Sequence, residues 1–187
     1  AFLPSVENLS YDSELVEIET GRRRAVFRSA QGEWTEAYDR IVSTVPLPDL
    51  VRRCVDLPAS LRELAASLRW VSVYNVNLAV ARERISDKHW IYFPEHRYSF
   101  YRAGFPMNFS QSMGQPGCSS LYVEISHQPT ERESDAALIE RVRRGLEQAG
   151  VLQRSDEVVM SDVRALYYAY AVFGRYRGRA VQELLAE

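Results

Sequence analysis

The longest alternating stretch of the chain, Trp70–Arg82, predicts a β-strand. Both of its faces are partly apolar, which is typical of a central strand covered on two sides. Shorter alternating segments predict strands at Trp90–Phe93, Ser99–Phe105 and Leu121–Ser126, and a further extended segment starts at residue 158. Because short connections join most of these segments, we expect antiparallel pairing.

Helical spacing of apolar residues is clearest over Ser134–Gly150, where Gly150 suits the C-terminal cap. Pro48–Cys54 and Pro58–Leu68 predict two shorter helices. Before them, the apolar segment Tyr38–Pro46 predicts a strand buried on both faces. The order of these elements predicts an α+β fold, in which helices pack on a mainly antiparallel sheet.

Residues 89–110 are rich in aromatic side chains and also contain arginine. Alternation along the predicted strand Ser99–Phe105 puts Phe100 and Arg102 on one face. An arginine among rings suits a planar or anionic ligand, because its donor fork is rigid. The alternative is an aromatic sheet face whose arginine pairs with a carboxylate such as Glu124, and the sequence leaves both interpretations open.

Composition excludes several classes of function. A net charge of −2 over 187 residues argues against a general nucleic-acid binder. The two cysteines and three histidines have no metal-ligand spacing, so we expect no metal site and no disulfide framework. The chain has no apolar run long enough for a transmembrane segment and no signal-peptide pattern, which makes a cytoplasmic location the expectation. It also contains no common nucleotide-binding or hydrolase motif, so catalytic residues stay unassigned.

Five segments in a fixed order carry a family resemblance: YDRIVSTVPLPDL, HWIYFPE, FYRAGF with NFS, SSLYVEIS and YYAYAVF. Together they resemble the superfamily of FAD-dependent amine oxidases and protoporphyrinogen oxidases, and within it the proteins similar to UDP-galactopyranose mutase. The resemblance covers nearly all of residues 9–173. It implies that residues 1–50 are an incomplete exit lobe of the flavin-binding domain and that residues 51–187 are a substrate-binding domain.

The resemblance also implies roles for single residues. Tyr92, Arg102 and Tyr170 correspond to residues that hold the substrate's diphosphate in the mutases, and Asn108 lies beside the same strand. Three further residues correspond to positions along the cofactor: Val16 resembles the strand valine whose backbone meets the adenine in the family, and Thr44 and Pro46 correspond to positions where the chain passes the cofactor.

Three functions follow as expectations. The first is the substrate-binding part of an FAD-dependent oxidoreductase, and the second is a flavin-dependent isomerase like UDP-galactopyranose mutase. The third is a non-catalytic binding module. The partner would be a small molecule, with an anionic compound or a sugar nucleotide among the candidates. The glycine-rich loop that binds the FAD pyrophosphate is absent, so this chain alone is expected to bind FAD weakly and to be inactive.

Overall fold

The computed structural model describes residues 8–128, 130, 133–175 and 177–186. The chain divides into two compact units, residues 1–69 with 173–187, and residues 70–172. The predicted boundary between the two domains, at residue 50, rests on the family resemblance and not on the division into compact units. It stays a prediction. The predicted lobe begins with residues 1–7, which lie outside the described residues.

The described part of the first unit contains a three-stranded antiparallel sheet and three helices. The strands β1 (Glu14–Glu19), β2 (Arg24–Ser29) and β3 (Gly32–Ala37) pair in chain order. The helices are α1 (Leu47–Arg53), α2 (Ala59–Ala66) and α4 (Arg177–Leu185). Their apolar faces meet in a small core of buried residues with partly buried leucines around it: Val51, Ala65 and Leu184, with Leu47, Leu57, Leu61, Leu64 and Leu68.

The strand predicted at Tyr38–Pro46 is wrong. Residues 38–46 belong to no helix or strand, and Val42 is 95% exposed. A strand needs a neighbour to pair with, and no strand among the described residues pairs with residues 39–46. An apolar run therefore was not sufficient evidence for a buried strand.

In the residues that the structure describes, the second unit is a five-stranded antiparallel sheet with one α-helix packed on it. Its strands are β4 (Trp70–Val80), β5 (Trp90–Tyr92), β6 (Arg102–Gly104), β7 (Ser119–His127) and β8 (Val158–Ala171). They lie in the order β5-β6-β7-β4-β8, with every neighbouring pair antiparallel. The predicted α+β fold, including the participation of all these segments, is confirmed.

Helix α3 (Asp135–Gln148) packs against one face of this sheet. Its predicted limits hold, because the Ser134 side chain accepts a hydrogen bond from the Ala137 N–H and Gly150 takes a positive φ of 74°. Leu138, Val142 and Leu146 are fully buried against strand residues such as Val76 and Val123. The apolar half of the strand alternation thus faces α3, and the polar half faces away from it.

The turn between β1 and β2 is held by Asp56. Its carboxylate accepts hydrogen bonds from the backbone N–H groups of Gly21 (2.7 Å) and Thr20 (3.0 Å). These bonds favour the charged form and lower the pKa of Asp56 to about 2 from its usual 3.8. Because the folded-state pKa is depressed, the stabilisation is complete above about pH 4 and is lost as the pH falls through about 2.

We predict that Asp56→Asn removes this component of the acid sensitivity. The melting temperature of the variant should fall less steeply than that of the parent between about pH 4 and pH 2. Thermal unfolding followed by circular dichroism across this range measures it. Glu36→Gln, at an exposed carboxylate in β3, serves as the control and should keep the parental pH profile. Parallel profiles for the parent and Asp56→Asn would contradict the prediction.

Candidate functional site

One row of side chains crosses the sheet face that points away from α3. Cross-strand pairing aligns Tyr92 with Arg102, Arg102 with Glu124, Glu124 with Asn75, and Asn75 with Arg164. Directly paired residues project on the same face of a sheet. We call this surface the open face, and it brings together residues from all five strands.

Arg102 lies beside Glu124, the central residue of the row, and its guanidinium group is already engaged. Nη2 lies 2.5 Å from Oε1 of Glu124 and donates a second hydrogen bond to the Tyr170 hydroxyl at 3.1 Å. Nη1 lies 3.4 Å from the Tyr92 hydroxyl. The side chains of Arg102 and Glu124 are only 23% and 12% exposed. Of the two interpretations that the sequence left open, the pairing of Arg102 with a carboxylate is the one present in the structure.

Two tyrosine hydroxyls complete the surroundings of Glu124. Tyr101 donates a hydrogen bond to Oε2, and the Tyr170 hydroxyl lies 3.5 Å from the same oxygen. Burial, followed by the hydrogen bond to Glu124, raises the pKa of Tyr101 well above its usual value. The hydrogen bond to Glu124 likewise raises the pKa of Arg102. At neutral pH, Tyr101 is therefore a neutral donor and Arg102 a permanent cation.

Tyr101 was not predicted as a site residue, because the predicted strand Ser99–Phe105 was too long. The strand covers only Arg102–Gly104, so simple alternation does not extend back to Phe100. Phe100 is instead 3% exposed in the α3-side core, where its ring contacts those of Phe93 and Tyr98. The prediction that Phe100 and Arg102 share a face is wrong for this reason.

A second row on the open face contains a glycine under a tyrosine ring. Trp90, Gly104, Tyr122, Asn77 and Asp162 are aligned by the same pairings. A Cβ atom at Gly104 would lie 2.2 Å from Cζ of Tyr122, so the ring crosses β6 where only glycine leaves room. Asn77 accepts a hydrogen bond from the Asn75 amide at 3.3 Å.

Asn108 contacts a different part of the same unit. Its amide nitrogen donates to the backbone carbonyls of Ser86 (2.9 Å) and Lys88 (2.5 Å), which holds the chain just before β5. Asn108 also lines a cavity of about 730 Å³ between residues 83–86 and 105–120. No hydrogen bond or ion pair described for it involves the Arg102 cluster, so its predicted contact with substrate stays a prediction.

The three residues predicted near a cofactor lie in the first unit. The pairing of β1 with β2 shifts register between Leu15 and Glu17, so Val16 is the extra residue of a bulge. Thr44 is exposed in the irregular segment, and Pro46 is the N-cap of α1. Exposed and irregular backbone of this kind can contact a cofactor. The sequence contains no glycine-rich loop to supply the N–H cradle that a pyrophosphate needs, and the contact of Val16, Thr44 and Pro46 with a cofactor stays a prediction.

The described residues contain neither a metal-binding cluster nor a membrane-spanning helix. No group of three or more histidine, cysteine or acidic residues is arranged to hold a metal ion there. No helix in that part of the chain is both long and apolar enough to cross a membrane.

The sequence matches the family model described as flavin containing amine oxidoreductase over residues 5–183. No curated protein matches it. Among solved structures, a reduced UDP-galactopyranose mutase superposes with a TM-score of 0.82 at 21% identity, covering 94% of this chain and 39% of that one.

Two further structures share the fold. A candidate protoporphyrinogen oxidase from Exiguobacterium sp. 255-15 gives a TM-score of 0.68 at 18% identity, covering 94% of this chain and 38% of that one. A putrescine oxidase double mutant gives 0.54 at 12% identity, with 85% and 36% covered. The chain therefore spans about two fifths of these proteins' lengths. At such identities the likeness establishes the fold alone.

We predict that Arg102→Lys lowers the stability of the fold. Lysine keeps the charge but cannot contact Glu124, Tyr170 and Tyr92 with one planar group. The free energy of unfolding should therefore fall by roughly 1–3 kcal/mol. Chemical denaturation measures it. Arg97→Lys is the matched control, because Arg97 also lies beside a glutamate and a tyrosine but is 60% exposed. The free energy of unfolding of Arg97→Lys should stay within about 0.5 kcal/mol of the parental value. Equal stability of Arg102→Lys and the parent would contradict the prediction.

Proposed function

The chain belongs to the family of flavin-containing amine oxidoreductases, and we propose that it forms the substrate-binding part of an FAD-dependent oxidoreductase. In this proposal residues 51–187 are the substrate domain and residues 1–50 belong to the flavin-binding domain. The full-length protein would be a cytoplasmic enzyme that acts on a small molecule.

One observation carries the proposal. Among the described residues, no helix of its own unit packs over the open face. That face carries a hydrogen-bonded group of Arg102, Glu124, Tyr92, Tyr101 and Tyr170. Tyr92 and Tyr170 remain 57% and 48% exposed. A purely structural sheet needs one apolar face and gains little from ordering a polar group on the other, whereas small-molecule sites combine aromatic walls with a few fixed polar groups.

The mutase-like alternative requires Arg102 to hold a diphosphate. Both N–H groups of its Nη2 are directed at protein atoms, and Glu124 balances its charge. This favours redox chemistry over diphosphate binding. The third alternative, a non-catalytic module, is disfavoured by the family match together with the ordered polar group.

FAD is the cofactor we propose for the full-length protein, with Val16, Thr44 and Pro46 contributing contacts along it. Bound flavin would supply the acceptor for a hydride from the substrate. Within this chain, the open face would bind and orient that substrate through the tyrosine hydroxyls and Arg102, with Asn108 as a further proposed contact. Orientation of this kind is a large part of catalysis in two-substrate reactions.

We predict that the 187-residue chain alone binds FAD only weakly, because the pyrophosphate cradle is missing. Titration with FAD, followed by flavin fluorescence, should show no saturable binding in the micromolar range that a cofactor site requires. Riboflavin, which lacks the pyrophosphate and adenine, is the control and should behave similarly. Stoichiometric yellow protein would mean that the cofactor contacts have been assigned to the wrong residues.

The redox assignment is tested on full-length protein with its flavin bound. A panel of amines and reduced cyclic compounds is added to the protein under anaerobic conditions. At least one compound should reduce the oxidised flavin and so bleach its absorbance. Chemically reduced protein should not isomerise UDP-galactopyranose. Tyr170→Phe should lower kcat/KM for the bleaching substrate by roughly tenfold or more, since one hydroxyl contact is lost. Turnover of UDP-galactopyranose by the reduced protein would replace the oxidoreductase proposal with the mutase one.

A further inference from the structure

The charged side chains that the strands place on the open face occur as two opposite pairs. Arg102 pairs with Glu124 at 2.5 Å, and Arg164 pairs with Asp162 at 2.8 Å. The remaining positions of the two rows are Tyr92, Trp90, Gly104, Tyr122, Asn75 and Asn77, all uncharged. The formal charge of these two rows is therefore zero.

The position of Glu124 makes anion binding at Arg102 unfavourable. An anion close enough to contact Arg102 would also approach the Glu124 carboxylate, which is 12% exposed and poorly screened by water. Turning Glu124 away would break its hydrogen bonds with Arg102 and Tyr101 together. Such a loss leaves buried polar groups without partners and is costly.

What the open face offers instead is aromatic surface beside neutral hydrogen-bonding groups. Trp90, Tyr92 and Tyr170 are each about half exposed, at 49%, 57% and 48%. Tyr122 lies across β6 above Gly104, in the row next to Arg102. Ring faces with nearby hydroxyl and amide groups bind planar, uncharged compounds through stacking and directed hydrogen bonds.

We infer that the open face selects an uncharged, ring-bearing substrate, and that Glu124 determines this specificity by cancelling the charge of Arg102. The inference rests on the proposed function in taking this face as the substrate surface. It assigns Glu124 a positioning role as well, because the same carboxylate fixes Arg102 and Tyr101.

Phenol and phenyl phosphate test the inference, because they share a ring and differ in charge. Their binding to the full-length protein can be followed by ligand-observed NMR at about pH 8, where phenyl phosphate is a dianion. The parent should bind phenol at least about tenfold more tightly than phenyl phosphate. Glu124→Gln should bind phenyl phosphate about tenfold more tightly than the parent does, with phenol binding little changed.

Three further variants assign the effect to the open face. The gain in phenyl phosphate binding should disappear in the double variant Glu124→Gln/Arg102→Gln. Glu133→Gln is the matched control, because it removes a carboxylate that also contacts a single arginine, Arg141, at 2.6 Å. It should leave both affinities at the parental level. Tyr92→Leu should weaken phenol binding, since it removes an exposed ring from the face.

The inference is overturned if the parent prefers phenyl phosphate in an Arg102-dependent manner, if folded Glu124→Gln gains no affinity for it, or if phenol does not bind. Circular dichroism establishes whether Glu124→Gln folds. If Glu124→Gln does not fold, the single variant Arg102→Gln replaces it as the test. Its affinity for phenyl phosphate should equal that of the parent, and a lower affinity overturns the inference. These binding measurements need no turnover. The inference about substrate charge can therefore fail while flavin reduction supports the proposed function, and the proposed function can fail while the binding measurements support the inference.

Discussion

The contact between Arg102 and Glu124 is the interaction on which the open face depends. Three tyrosine hydroxyls take their positions from it: Tyr92 through Arg102, Tyr101 through Glu124, and Tyr170 through both. Ion pairs with little solvent exposure gain stability only when their remaining donors and acceptors are also satisfied. The tyrosine hydroxyls provide most of these partners here, and only the buried Nε of Arg102 has none among the described residues. The pair and its neighbours therefore form one cooperative unit.

The location of this unit follows from the two faces of the sheet. The α3 side is closed by fully buried aliphatic side chains such as Leu138 and Val142, which offer no hydrogen-bonding partners. A charge placed there would be desolvated without compensation. The strands therefore carry the ion pairs Arg102–Glu124 and Arg164–Asp162 on the other side, where Arg102 retains 23% exposure. The same alternation that builds the core produces the polar surface opposite it.

How far the sequence predicts this structure depends on whether the relevant contacts are local. The spacing of apolar residues within Trp70–Val80 and Asp135–Gln148 was enough to predict β4 and α3, because that spacing follows the buried face of each element. Tyr38–Pro46 was misassigned because strand formation depends on a partner that the segment's own pattern does not reveal. Arg102 was predicted as a site residue from the aromatic residues around it. The contact of Tyr101 with Glu124 was not predicted, because β6 begins only at Arg102 and side-chain alternation does not extend back to Tyr101.

The contribution of Tyr170 depends on a feature that no local pattern reports. Val73 pairs with Leu166 and Val71 with Tyr170, so two residue steps along β4 correspond to four along β8. Two extra residues preserve the phase of a strand, whereas one would have turned Tyr170 toward the α3 side. Fully buried Ser72 accompanies this irregularity, because its hydroxyl donates to the Tyr167 carbonyl at 2.7 Å. A buried serine in β4 thus supports the bulge that brings an edge-strand tyrosine to Arg102, three strands away.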